Sequence, residues 1–150
     1  MAEPTRPDLA AMIVPLGRSL MAAEQPILAA HDLTMWGYIV LNRLRTEPVR
    51  TQAALAEAIG ADKTRIITVL DGLQRRGLIA REPDPADRRV RLVSLTAEGR
   101  RVRDATRDAI QRNEERVLRA LPEQERRAFV RALRTLADLP RETILGDDAP

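Results

Sequence analysis

Residues 51–95 carry two short helical patterns joined by a tight turn and followed by a hairpin pattern. Thr51 and Asp62 are good N-cap residues for these two helices, and a glycine stands where each helix should end. Strand character follows over 78–82 and 90–95, with a loop rich in proline and aspartate between them. The order helix, turn, helix, hairpin therefore restricts the middle of the chain to a small, mainly α lobe with one β-hairpin.

Helical patterns also lie on both sides of residues 51–95. Apolar residues recur at spacings of three and four before residue 34, although Pro15 and Pro26 predict a kink or a break there. Thr34 is a good N-cap for a buried helix that ends near residue 44. The chain before residue 51 is therefore predicted to be helical.

Two further helices are predicted after the hairpin. Thr96 should cap a long helix, and Pro122 opens a second one; each carries an apolar stripe at helical period. The chain after Pro140 predicts a frayed tail. These helices leave apolar faces that a lobe of about 60 residues is too small to bury.

The composition excludes several classes of function. The chain has 150 residues, 44% of them hydrophobic, and no cysteine, which excludes disulfides, thiolate catalysis and Cys-ligated zinc. With His31 as the single histidine, we expect neither a metal site nor a cofactor. No apolar run approaches the roughly 18–20 residues of a membrane span, and no signal peptide is visible, so we expect a cytoplasmic protein without membrane contact.

An enzyme is also a poor fit to the sequence. Neither of the two serines, Ser19 and Ser94, lies in a nucleophile elbow. The chain has no P-loop and no glycine-rich dinucleotide loop. We therefore expect a binding protein.

Arginine dominates the positive charge. Of 25 basic residues only Lys63 is a lysine, and the net charge is +3. Arginine presents a planar fork of donors that suits phosphates and guanine edges, although a GC-rich genome would raise the arginine count as well. The positions of the arginines are therefore more informative than their number.

The predicted helix over 62–76 has two distinct faces. At 100° per residue one wall is aliphatic and the opposite face carries short polar and basic residues, the arrangement of a helix that enters the major groove. The aliphatic wall holds Ile66, Val69, Leu70 and Leu73; the opposite face and its flanks hold Lys63, Thr64, Arg65, Ile67, Thr68, Asp71 and Arg75. Asp71 is discordant beside phosphate, and pairing with Arg75 at i, i+4 would account for it. The alternative is an ordinary amphipathic surface helix.

The hairpin loop concentrates positive charge at a projecting turn. Arg88, Arg89 and Arg91 lie in or beside this loop, where a protruding positive element can contact phosphates or the minor groove. Asp84 and Asp87 lie in the same loop and are predicted to brace the arginines rather than to bind a metal, because no other ligands are near.

Several segments together resemble the MarR family of bacterial transcriptional regulators. They are TQAALA at 51–56, DKT at 62–64, LDGLQRRGLI at 70–79, DPADRR at 84–89 and VSLTAEG at 93–99. The most specific is the hairpin-loop motif of the family, Asp-x-Arg-(Asp/Asn)-x-Arg. Asp84, Asp87 and Arg89 match it, whereas Ala86 replaces the arginine that approaches the minor groove in family members. The neighbouring Arg88 is the residue that would replace it.

The resemblance implies a winged helix-turn-helix DNA-binding lobe plus a helical dimerisation region. It divides the chain into an N-terminal dimerisation helix (1–33), the DNA-binding lobe (34–96) and C-terminal dimerisation helices with a tail (97–150). It also implies a homodimer that represses from a palindromic operator, with two recognition helices roughly 34 Å apart. The predicted DNA-binding residues are Thr51, Gln52, Lys63, Thr64, Arg65, Ile67, Thr68, Arg75, Arg88, Arg89 and Arg91.

The resemblance further implies release from DNA by a small, often aromatic or phenolic ligand. His31, Trp36 and Tyr38 are the only His, Trp and Tyr of the chain, and they fall together at one helix junction, so we predict that they bind this ligand. The alternative is that they are packing residues, with His31 capping a helix end. An alternative function is a winged-helix protein–protein interaction module without specific DNA binding, which Ala86 and Asp71 would favour.

Overall fold

The computed structural model describes residues 6–49 and 51–146. In this part of the chain the fold is mainly helical with one two-stranded antiparallel hairpin, which confirms the predicted fold class. The elements in order are α1 (Leu9–Ala30), α2 (Met35–Arg43), α3 (Gln52–Ile59), α4 (Lys63–Arg75), β1 (Ile79–Pro83), β2 (Arg91–Leu95), α5 (Ala97–Leu118), α6 (Glu123–Ala137) and α7 (Arg141–Leu145).

The chain divides into two compact units, Met1–Gln111 and Arg112–Pro150. The first unit contains the helices and the hairpin of the predicted DNA-binding lobe, and the second contains α6 and α7. The predicted division into a DNA-binding lobe (34–96) and two flanking dimerisation segments stays a prediction. Residues 1–5 and 147–150 of those flanking segments lie outside the described residues.

Side-chain caps explain where α3 and α4 begin. The Thr51 Oγ1 accepts a hydrogen bond from the Ala54 N–H at 2.9 Å, and the Asp62 Oδ1 accepts one from the Arg65 N–H at 2.8 Å. Gly60 ends α3 with a φ of 70°, a left-handed conformation that glycine adopts without a steric penalty. The tight turn between α3 and α4 is therefore encoded by three residues.

The core of the first unit gathers aliphatic side chains from α1 to α5 and from the hairpin. Its most deeply buried large side chains are Leu28, Val40, Leu41, Leu55, Ile66, Leu70, Leu78 and Val93. The segment before α3 joins the hairpin through Val49, whose N–H and C=O exchange hydrogen bonds with Val93 at 2.9 and 2.8 Å. In the hairpin, Ile79 pairs with Leu95 and Pro83 pairs with Arg91, each strand beginning one residue later than predicted.

The break predicted near Pro15 and Pro26 is absent, and a short helix replaces the predicted fraying after Pro140. α1 is one helix of 22 residues that includes both Pro15 and Pro26, without a break. Each proline removes one N–H donor, but both lie on exposed turns where water can satisfy the carbonyl left without a partner. Arg141–Leu145 form the short helix α7, which ends at Gly146 with a φ of 69°, so residues 141–146 are not frayed as predicted; residues 147–150 lie outside the described part of the chain.

Residues 6–49 and 51–146 contain neither a membrane-spanning helix nor a cluster of metal-ligating side chains. No helix there has the length and apolar character needed to cross a membrane. No group of three or more His, Asp or Glu side chains there is arranged to hold a metal ion.

Candidate nucleic-acid interface

Helix α4 is buried on one wall and exposed on the other, as its periodicity predicts. Ile66, Leu70 and Leu73 are buried in the core of the first unit, and Val69 is half-buried. The exposed residues of α4 include Lys63, Thr64, Arg65, Ile67, Thr68 and Arg75. An open groove of about 490 Å³ runs along this surface, lined by Asp62, Thr64, Arg65, Thr68 and Val69. The exposed face thus presents donors, hydroxyls and one branched aliphatic side chain to a partner.

Arg65 is held on two sides. Its guanidinium carbon lies 5.5 Å from the centroid of the Trp36 ring, a cation–π distance. Its Nε lies 3.6 Å from the Asp62 Oδ2, while its side chain remains 54% exposed. Trp36 belongs to α2, so the ring that contacts this arginine comes from a neighbouring helix.

Arg81 connects three elements and was missed by the sequence analysis. From β1 it donates to the Gln52 Oε1 of α3 at 2.9 Å, to the Asp71 Oδ1 of α4 at 2.5 Å, and to the Gln74 Oε1 of α4. Its side chain is only 19% exposed. Asp71 places a carboxylate on the face predicted to approach phosphate. This mismatch was the sequence signal that a cation lies close to Asp71 in the fold.

The predicted pairing of Asp71 with Arg75 is wrong. Asp71 forms its ion pair with Arg81, because the strand that follows α4 brings this guanidinium against the helix. Gln52 was predicted to bind DNA, and its amide oxygen accepts a hydrogen bond from Arg81. Thr51, from the same predicted set, is exposed and caps α3.

The hairpin loop is shaped by its two aspartates. The Asp84 side chain is buried, and its Oδ1 accepts a hydrogen bond from the Ala86 N–H at 2.8 Å. The Asp87 Oδ1 accepts one from the Arg89 N–H at 3.1 Å and lies 3.6 Å from the Arg89 Nε. These are Asx-turn contacts, which fix the loop backbone.

The three hairpin arginines remain available to a partner. Arg88, Arg89 and Arg91 are all exposed, and the Arg89 side chain is 94% exposed. The structure therefore presents one cationic hairpin and one polar helix face from the same unit.

The three aromatic or imidazole side chains predicted to share a ligand lie in different surroundings. The His31 Nδ1 is 2.9 Å from the Ile27 carbonyl oxygen at the end of α1. Trp36 contacts Arg65, and Tyr38 packs against the hydrophobic core. Of the three, His31 lines a cavity of about 410 Å³ in the first unit, and Trp36 and Tyr38 are not among the residues that line it.

That cavity combines charged groups with aliphatic ones. Its walls are His31, Asp32, Arg76, Leu78, Glu98, Arg101, Val102 and Ala105. Arg76 donates to the His31 carbonyl oxygen at 3.2 Å and to the Asp32 carbonyl oxygen. Arg101 donates to both Glu98 carboxylate oxygens, at 2.9 and 2.5 Å, and this hydrogen bonding holds the pKa of Glu98 below its usual value. The cavity thus combines two guanidinium groups and two carboxylates with three aliphatic side chains.

A helix-turn-helix followed by an arginine-bearing hairpin defines a winged helix-turn-helix, a class of DNA-binding proteins; α4 is its recognition helix and the hairpin is its wing. The MarR family profile matches residues 31–90. Transcriptional regulator HosA of Escherichia coli O111:H- is 35% identical over 105 residues, 70% of this chain and 78% of that protein. This chain belongs to the MarR family of transcriptional regulators and is not an enzyme.

Two solved structures of one relative show the same fold with different partners. CouR from Rhodococcus jostii RHA1 bound to p-coumaroyl-CoA is 27% identical with a TM-score of 0.70, over 89% of this chain and 94% of that one. The transcriptional repressor CouR bound to a 23-mer DNA duplex is 27% identical with a TM-score of 0.72, over 87% of this chain and 92% of that one.

Proposed function

We propose that this regulator is a homodimeric repressor that binds a palindromic operator near its own promoter in the cytoplasm. The observation that carries the proposal is the orientation of α4, whose aliphatic wall is buried while Thr64, Arg65 and Thr68 are exposed. Threonine and arginine reach base edges in the major groove, and the exposed Ile67 suits a thymine methyl. The wing arginines would add phosphate or minor-groove contacts.

Exposed apolar side chains support the homodimer. In the first unit, apart from Ile67 on α4, they lie on α1, namely Leu9, Met12, Ile13, Val14, Leu16 and Met21. In the second unit they lie at the end of α5, on α6 and α7 and in the segment between these two helices, namely Val117, Phe129, Val130, Leu133, Leu136, Leu139, Ile144 and Leu145. Large exposed apolar patches mark interaction surfaces, and a twofold axis would pair each patch with its copy and set two recognition helices on one duplex.

Arg65→Ala is expected to weaken operator binding by roughly 1–3 kcal/mol and to relax base preference, because a base-reading donor is lost. Thr68→Ala should act in the same way. Arg88→Ala should weaken binding to operator and random DNA alike and reduce the salt dependence, because it removes a phosphate contact. A footprint over the upstream region of the chain's own gene defines the operator, and fluorescence anisotropy at several salt concentrations measures the affinities.

The matched control is Arg134→Ala, which removes an exposed arginine from the last turn of α6, outside the winged lobe. It should leave operator affinity within about twofold, as expected for a surface substitution outside the proposed DNA contacts. Equal losses on operator and random DNA for Arg65→Ala would refute its assignment as a base reader.

We also propose that a small aromatic or phenolic acid releases the protein from DNA by binding in the cavity beside His31. Arg76 and Arg101 suit a carboxylate, and Leu78 and Val102 suit a ring. The CouR structure with p-coumaroyl-CoA supports a phenolic class of effector by analogy. Because Trp36 and Tyr38 lie elsewhere, the proposed site retains only His31 from the predicted set.

Arg101→Gln should raise the effector concentration needed for half-release by about tenfold or more, because a charge-assisted hydrogen bond to the ligand is lost. Release of a labelled operator duplex by a panel of benzoic and cinnamic acids measures this. Arg100→Gln, an exposed neighbour that does not line the cavity, is the control and should respond like the parent. An Arg101→Gln response that matches the parent would exclude the cavity as the effector site.

A protein–protein interaction module remains the second candidate function, and one observation favours it. Ala86 stands in the exposed wing where the family carries an arginine. Asp71 no longer favours this alternative, since Arg81 neutralises it. DNA affinity that fell little between low and moderate salt would favour the module, because a dimer that contacts phosphates loses affinity steeply.

A further inference from the structure

The ring of Trp36 lies against a residue that the proposed function assigns to base reading. Its centroid is 5.5 Å from the guanidinium carbon of Arg65, and the indole is half-buried. Trp36 stands in the first turn of α2, capped by Thr34, and Gly37 beside it is buried against α4. A Cβ at Gly37 would lie 3.6 Å from the Leu73 Cδ2, an ordinary van der Waals distance, so α2 packs directly against α4 beside the ring.

Arg65 has an anionic partner as well as the aromatic one. Asp62 caps α4 through the Arg65 N–H at 2.8 Å, and its other carboxylate oxygen lies 3.6 Å from the Arg65 Nε. The side chain is thus confined between a carboxylate of its own helix and a ring from α2. A long arginine side chain that is ordered before binding loses less conformational entropy when it binds.

We infer that Trp36 is a positioning residue for DNA recognition, which holds the Arg65 guanidinium in place to contact operator DNA. The inference rests on the proposed function. The π face of Trp36 attracts the positive charge of Arg65 without accepting hydrogen bonds from its N–H groups. Those N–H donors therefore remain available to base or phosphate acceptors. Trp36 therefore acts on DNA through Arg65 and does not itself need to touch the duplex.

A double-mutant cycle on the full-length protein tests the coupling. The variants are Trp36→Leu, Arg65→Ala and the two combined, each measured by anisotropy on the footprinted operator duplex and on a random duplex of the same length. In the protein that retains Arg65, Trp36→Leu should weaken operator binding about three- to tenfold, with little change in binding to random DNA. In the Arg65→Ala background, Trp36→Leu should change operator binding less than about twofold.

Trp36→Phe keeps an aromatic face and should restore most of the affinity that Trp36→Leu loses. If Trp36→Leu acted only by destabilising the fold, it would weaken binding to operator and random DNA alike. Trp36→Phe would then not restore operator binding selectively. Equal effects of Trp36→Leu in both backgrounds would overturn the inference while leaving specific DNA binding intact. Failure of the parent protein to distinguish operator from random DNA would instead overturn the proposed function.

A second readout needs no substitution of Trp36. This is the only tryptophan of the chain, so intrinsic emission reports its surroundings alone. Arg65→Ala should shift or brighten that emission in the free protein, whereas Arg75→Ala, on the same helix and also exposed, should leave it unchanged. An unchanged spectrum in Arg65→Ala would contradict the contact on which the inference depends.

Discussion

Gly99→Ala should lower the free energy of unfolding by about 3 kcal/mol, a large effect for one added methyl group. A Cβ at this position would lie 1.9 Å from the Leu78 carbonyl oxygen and 2.9 Å from the Leu95 Cδ1. The nearest obstacle is backbone, which cannot rotate away. Urea unfolding followed by circular dichroism measures the loss.

Local hydrogen bonds show why the obstacle at Gly99 cannot shift cheaply. The Leu78 carbonyl accepts from the Thr96 N–H at 3.1 Å, and the Thr96 Oγ1 donates to the Gly77 carbonyl at 2.6 Å. The start of α5 is therefore bonded directly to the segment that leads into β1. Moving the helix away to accommodate a methyl group would break these bonds.

Gly17→Ala is the matched control, since this glycine also lies within a helix but an added Cβ would meet nothing within 4 Å. It should raise stability by roughly 0.5–1 kcal/mol, because alanine is the better helix former. A Gly99→Ala variant as stable as the parent would show that α5 does not cross the hairpin at this distance.

Leu133→Glu is expected to make the protein monomeric and to reduce operator affinity at least about a hundredfold. The side chain lies on the exposed apolar stripe of α6, and a twofold interface would bury the introduced carboxylate twice. A monomer presents one recognition helix and loses the contribution of the second half-site. Analytical ultracentrifugation gives the mass, and anisotropy gives the affinity.

Thr135→Glu introduces the same charge on the opposite side of α6, 200° away from Leu133 at 100° per residue. Thr135 is exposed, and its hydroxyl donates a hydrogen bond to the Arg131 carbonyl oxygen at 3.1 Å. This variant should remain dimeric and bind the operator like the parent. A dimeric Leu133→Glu protein would exclude α6 from the interface.

The elements that the sequence predicted well are those governed by local rules. The caps at Thr51 and Asp62, the left-handed Gly60 and the aliphatic wall of α4 all depend on residues within a few positions of one another. Helical periodicity and cap preferences are therefore sufficient to locate them. The fold class followed from their order.

The features that escaped prediction depend on contacts between distant parts of the chain. Arg81 binds Gln52, which is 29 residues away, and no local pattern specifies that pairing. Trp36 meets Arg65 only after α2 packs on α4. Pro15 and Pro26 were overestimated as helix breakers because local rules do not count the water that satisfies exposed carbonyls.

Helix α4 is hydrogen-bonded at its C-terminal end to the rim of the cavity that we propose as the effector site. Arg76 follows its last residue and donates to the His31 and Asp32 carbonyls, roughly 12–18 Å along the helix axis from Thr68 and Thr64, which are proposed to face DNA. These hydrogen bonds fix the C-terminal end of α4, so a change there alters the orientation of the whole helix. A ligand that draws Arg76 away from those carbonyls would release the C-terminal end of α4 and let its N-terminal end tilt, without itself touching the duplex.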